Sequence, residues 1–214
     1  MLTALAVLLA FAPRARAQGS RPVTAPSGAN NIENTLRPPW AIERRWTLGF
    51  QVSYGLENNI PRDISHVNMV IAAPQVGLVA WDSPHSRLPM NRFEIIGEGL
   101  LGSAFHPGGD LLGETLMFRF GFKPLHRAVP FFDAGIAAVH TTLDYNAPEI
   151  SGHTQFLSQG GFGVQLFHRP GRAVVLEYRY FHMSNAGIQE PNHGFNGSMI
   201  SIGYRWLLRR HSSE

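Results

Sequence analysis

One stretch of the chain carries side chains whose types and spacing suit acyl-transfer chemistry. Residues 173–184 read Ala-Val-Val-Leu-Glu-Tyr-Arg-Tyr-Phe-His-Met-Ser and run straight into Asn185-Ala186-Gly187-Ile188-Gln189-Glu190-Pro191-Asn192-His193-Gly194-Phe195-Asn196. The alternation is that of a β-strand, with Val174, Leu176, Tyr178, Tyr180, His182 and Ser184 on one face and Glu177 and Arg179 on the other. Two residues apart on a strand, His182 and Ser184 have Cα atoms about 6.5 to 7 Å apart, close enough for an imidazole nitrogen to reach the hydroxyl. A serine hydroxyl is a weak nucleophile until a base takes its proton, and His-x-Ser supplies that base locally. On the pair alone a second reading stands beside catalysis, that of a polar strand end entering a loop.

The neighbouring residues are more specific. His182-x-Ser184-Asn185-Ala186-Gly187-Ile188 followed by Pro191-Asn192-x-Gly194 resembles the active-site signature of the lipid A 3-O-deacylase family, outer-membrane acyl hydrolases also grouped as acyloxyacyl hydrolase-like proteins. The resemblance implies an eight-stranded outer-membrane barrel that cleaves the ester-linked acyl chain at the 3-position of lipid A. Ser184 would be the nucleophile and His182 its general base, with Asn192 and the backbone N–H of Gly187 at the oxyanion. Lipid A or lipopolysaccharide would be the partner amid membrane lipids, no cofactor is needed, and the resemblance admits a homodimer. Read without the family, Gly187 permits close backbone approach and an amide is a good preset donor, although Pro-Asn also commonly marks a loop.

The family's third member is a Glu twelve residues after the Ser, and here that position is Asn196. An amide can orient an imidazole by accepting from its N–H, but it does not stabilise imidazolium by charge. Asn196 is therefore the third catalytic candidate, with reduced or lost activity as the expected consequence. Glu190 ranks below it as a substitute carboxylate, His193 reads as a solvated loop residue, and Asn185 as a turn residue.

Positioning these groups falls to strands. From Trp46 onward the dominant period is two: Trp46, Leu48, Phe50, Val52 and Tyr54 alternate with Thr47, Gly49, Gln51 and Ser53, and the pattern recurs around Leu116–Phe122 and Ile200–Trp206. Segments near 46–55, 65–81, 91–103, 111–123, 129–141, 154–168, 173–184 and 197–207 give eight strands, a number that closes a barrel. Pro74 and the cluster Gly160, Gly161 and Gly163 make the second and sixth the least secure. Aromatics gather at strand ends, whereas Glu94, Glu98, Arg119, Glu177, Arg179 and Arg205 fall on the opposite faces. Charges of both signs can fill a narrow lumen by pairing, so the expected fold is an all-β, eight-stranded antiparallel up-and-down transmembrane barrel with a plugged interior. A soluble barrel whose charges face water is the competing architecture; parity sets His182 and Ser184 on the apolar face, which a membrane barrel turns outward.

Composition sets the outer bounds. With 214 residues, 44% hydrophobic and no Cys, the chain is one domain without a disulfide framework. Only 15% of residues are charged, against the roughly 25% usual in soluble domains. No basic run accompanies the net charge of +3, which argues against a nucleic acid partner. Leu2–Phe11 is small and apolar and is followed by Ala15-Arg16-Ala17, so residues 1–17 are expected to be a signal peptide, 18–45 an N-terminal arm, 46–207 the barrel and 208–214 a tail. His66, His106, His140 and His168 show no metal-ligand spacing. A non-catalytic barrel that has lost the acidic triad member and an exported lipid-binding barrel remain the alternatives to an esterase.

Overall fold

The computed structural model describes residues 46–58, 65–83 and 87–208. The expected signal peptide, the N-terminal arm up to Arg45 and the tail from Arg209 lie outside the described residues. Strands β1 (Trp46–Glu57), β2 (Asn68–Asp82), β3 (Met90–His106), β4 (Gly108–Phe122), β5 (Ala128–Thr141), β6 (Thr154–Arg169), β7 (Arg172–Ser184) and β8 (Phe195–Leu207) form a closed barrel in chain order. Each pairs antiparallel with its sequence neighbours, and β1 closes on β8 through registers such as Ser53 opposite Ser201. Closure removes every sheet edge, as a strand protein in lipid requires.

Side-chain parity is inverted relative to a soluble barrel. On β1, Trp46, Leu48, Phe50, Val52, Tyr54 and Leu56 are exposed, while Thr47, Gln51 and Ser53 are buried in the lumen. The lumen is filled rather than open. At mid-height Arg119 sends Nε and Nη2 to Asp133 Oδ2 (3.1 and 2.6 Å) and Nη2 to Glu177 Oε2 (3.3 Å), and its guanidinium stands 3.9 Å from the centre of the Phe131 ring. Arg179 forks onto Glu98 at 2.7 and 2.9 Å and donates to Glu177, and Arg205 joins Glu94 and Thr47.

Two strands depart from the usual rules for Pro and Gly. Pro74 sits in the middle of β2, where the β2–β3 pairing resumes on either side of it in the same register. Its ring packs towards Gly99, and the β2–β3 pairing skips Ala73 and Pro74, as a residue with no N–H to give requires. In β6, Gly163 leaves room for the Phe131 ring, which a Cβ there would approach to 2.4 Å.

The polar lumen expected from the sequence holds for only part of the barrel's height. Beneath one rim the interior is an apolar cluster that includes Met69, Leu100, Phe181, Met183, Phe195 and Met199, capped by Val67 and Leu143 from the connections above. A lumen this narrow is filled by side chains, so packing as well as solvation selects what points inward.

Candidate active site

That apolar cluster backs the wall on which the sequence candidates stand. On β7 the inward residues Phe181 and Met183 alternate with His182 and Ser184, and on β8 the inward Phe195 precedes Asn196. Phe181 and Phe195 pack edge to face at 6.0 Å between centroids, which fixes the two strands carrying the site. Antiparallel register then sets His182 opposite Asn196 on one side and opposite Ser158 on the other. All three candidates, His182, Ser184 and Asn196, are half-buried on the outer face.

His182 Nδ1 lies 3.0 Å from Asn196 Oδ1. A carbonyl oxygen only accepts, so the imidazole proton belongs on Nδ1 and the lone pair on Nε2, the tautomer a general base needs. Ser184 is the last residue of β7. The described residues show no hydrogen bond between its hydroxyl and the His182 ring; the two are brought together around Gly194. A Cβ on Gly194 would stand 2.9 Å from His182 Cε1 and 3.0 Å from Ser184 Cβ, in a backbone with φ of +64°. The His and Ser atoms are therefore within about 6 Å of each other, and only glycine fits between them.

Three connections hold this glycine and the residues around it. The Glu149 carbonyl accepts from both His193 N–H (2.9 Å) and Gly194 N–H (3.0 Å), while its carboxylate takes the Ser65 N–H (2.6 Å) and hydroxyl. Asn185, buried at 1% exposure, donates Nδ2 to Ser151 O (3.0 Å) and Gln189 O (2.6 Å). Its Oδ1 accepts from Gly187 N–H (2.9 Å), and its backbone N–H donates to Asn192 Oδ1 (2.9 Å). Asn185 is thus a hub and not merely a turn residue, and Asn185, Ser151 and Glu149 are the site residues that spacing alone did not reveal. The only local signal was the tendency of Asn to bond backbone two residues on, which here becomes the bond to Gly187.

The oxyanion candidates stand in different situations. Asn192 has its Oδ1 occupied by Asn185, which orients the amide and leaves its Nδ2 donors uncommitted among the described residues. Gly187 adopts φ of +79° with open space around its Cα, and its N–H is engaged with Asn185. Glu190 is exposed and accepts the Asn192 N–H at 3.2 Å, so its carboxylate serves the loop and Asn196 is the acceptor at the imidazole. His193 is exposed. A serine hydroxyl, an oriented imidazole, its acceptor and a fixed amide donor on one wall are groups of the kinds that can transfer an acyl group to water.

A family model described as lipid A 3-O-deacylase (PagL) matches residues 80–205, a span that contains every one of these candidates. Among solved structures the chain is similar to the crystal structure of the outer membrane enzyme PagL, with 20% identity and a TM-score of 0.48 over 74% of this chain and 99% of that one. The N-terminal β-barrel domain of Pseudomonas aeruginosa OprF is similar at 10% identity and a TM-score of 0.38, covering 74% of this chain and 97% of that domain. No curated protein matches.

Proposed function

We propose that this chain, which belongs to the lipid A 3-O-deacylase family, hydrolyses the ester that links an acyl chain to the 3-position of lipid A, using Ser184 and His182. The barrel is an outer-membrane barrel. Its apolar outer wall faces lipid, and the substrate's ester lies at the boundary of head group and hydrocarbon, where the rim carrying Ser184 would meet it. Below the pair, the exposed Leu176, Tyr178 and Tyr180 continue the same face and give the acyl chain an apolar bed.

Ser184 Oγ attacks the ester carbonyl carbon as His182 Nε2 takes its proton. The carbonyl oxygen becomes an oxyanion that Asn192 Nδ2 receives, with the Gly187 N–H contributing by sharing its bond to Asn185. Collapse breaks the bond to the sugar oxygen, which leaves with the proton from His182. Water activated by the same base then releases the acyl group from Ser184 as a fatty acid and restores both residues. The single observation that supports this reading is the 3.0 Å bond from His182 Nδ1 to Asn196 Oδ1, because it leaves Nε2 free to accept a proton.

Mass spectrometry of lipid A from an outer membrane carrying the wild-type protein, beside one carrying Ser184→Ala, tests it. Loss of one hydroxyacyl mass with wild type only is the expected result. Unchanged lipid A in both, with both proteins inserted, would favour a barrel that lost its chemistry with the acidic third member. Deacylation by the Ala variant would remove Ser184 from the mechanism.

A further inference from the structure

The end of the barrel away from the site carries a charge pattern the hydrolytic reading does not use. Three connections lie there: 83–89 between β2 and β3, 123–127 between β4 and β5, and 170–171 between β6 and β7. Arg87, Lys123, Arg127, Arg169 and Arg172 are all exposed on these connections and their flanks. Among the described residues none of the five cations pairs with a carboxylate. The nearby Asp82 turns instead to the buried Arg92, at 3.8 Å. At the site end the described connections carry Asp144, Glu149 and Glu190 and no Lys or Arg, and Asp110 stands near the start of β4.

The cationic rim borders an aromatic layer. Trp46, Trp81 and Trp206 are exposed at this same end, Tyr204 packs on Trp206 with centroids 4.6 Å apart, and the Tyr204 hydroxyl bonds His168 Nε2 at 2.7 Å. Amphipathic rings at head-group depth with cations just beyond them are what a membrane–water boundary selects. Four of the five cations are Arg, whose planar fork suits phosphate oxygens.

We propose that this rim is an interaction surface for the anionic phosphate head groups of the phospholipid leaflet on the side opposite the catalytic rim. Lipid is favoured over a soluble polyanion because the cations form a collar that continues the outward apolar wall and its Trp layer. The collar anchors that end of the barrel, and it does so whether or not the opposite rim is catalytic.

The three tryptophans make the surface measurable. Trp40→Phe protein is inserted into vesicles of phosphatidylcholine and phosphatidylglycerol, with bromine on one lipid or the other as the quencher. The collar predicts that brominated phosphatidylglycerol quenches beyond its mole fraction, and that raising salt weakens the preference. With Arg87, Arg127, Arg169 and Arg172 all changed to Gln the two lipids should quench in proportion to their amounts. Arg172→Gln alone should lose part of the preference, and serves if the fourfold variant does not insert. Equal quenching by both lipids with the native rim, or a preference that survives all four substitutions, would overturn the proposal. So would a preference that inorganic phosphate removes while chloride of equal ionic strength does not, since that marks a site for free anions.

Discussion

Asn196 gives His182 an acceptor without a charge. Its Oδ1, 3.0 Å from Nδ1, selects the tautomer with a basic Nε2, so orientation is retained where imidazolium stabilisation is not. A net hydrogen bond between neutral groups is worth about 0.5–1.5 kcal/mol and one to a charged group about 1.5–3. The difference, about 1 to 1.5 kcal/mol, matters once the imidazole becomes charged in the transition state. Asn196→Glu is therefore expected to raise kcat for ester hydrolysis roughly five- to tenfold with little change in KM. Asn196→Leu, which leaves Nδ1–H without its acceptor, should lower kcat by at least about tenfold. Steady-state kinetics in detergent on a short-chain ester reads both, and a Leu variant with full kcat would show that Asn196 does not orient the base.

Loops, not strands, set the remaining precision of the site. Asn185 links the β7–β8 connection to Ser151 in the β5–β6 connection and holds Asn192 through its own N–H. Asn185→Ala would leave the Gly187 N–H without its acceptor and take one donor each from the Ser151 and Gln189 carbonyls, which keep Gln155 Nε2 and Ser151 Oγ, at a cost of about 1–3 kcal/mol. The expected signature is a fall in kcat larger than the change in KM, with the strand signal in circular dichroism intact and its melting point modestly lowered. A variant with native kcat would make the hub structural only. What the sequence revealed and what it hid divide along the same line. His182 and Ser184 were legible because strand parity puts them on one face; Asn196 was legible only from its place twelve residues after Ser184 in the family's pattern, and the antiparallel return sets it opposite His182. Asn185 and Ser151 are 34 positions apart, and Glu149 reaches His193, Gly194 and Ser65 across two separate connections. No local period encodes such meetings, so the place of Gly194 between the His and Ser could not be read from spacing.

Among the described residues the buried charges of the strands balance: Arg92, Arg119, Arg179 and Arg205 stand with Glu94, Glu98, Asp133 and Glu177, the buried Glu149 lying on a connection. Alternation made this network visible in the sequence, because every one of these strand residues except Arg92 and Asp133 was already marked out by its strand's polar face or its charge. The apolar half of the lumen was not visible, since here Phe181 and Met183 point inward while the polar His182 and Ser184 between them point out, the reverse of the contrast that marks the lumen lower down. This stratification separates the buried charge network from the rim that carries the candidate site. Arg179 holds Glu98 and Glu177 together at mid-height, while the packed layer of Phe181, Met183 and Phe195 lies between that network and the catalytic rim. Removing one member of a buried ion network leaves its partners unpaired, which costs about 3–5 kcal/mol, whereas removing charges of both signs together can be nearly neutral. Arg179→Met should therefore lower the urea unfolding free energy by about that amount, followed by Trp fluorescence in vesicles. Adding Glu98→Gln and Glu177→Gln should restore part of the loss, because the unpaired carboxylates are then gone. At urea concentrations where each variant is still folded, ester hydrolysis should match the wild type, because the apolar layer keeps the rim's geometry independent of the network below. A loss below about 1 kcal/mol for Arg179→Met would place the barrel's stability in its hydrogen-bonded wall and apolar packing instead of the network.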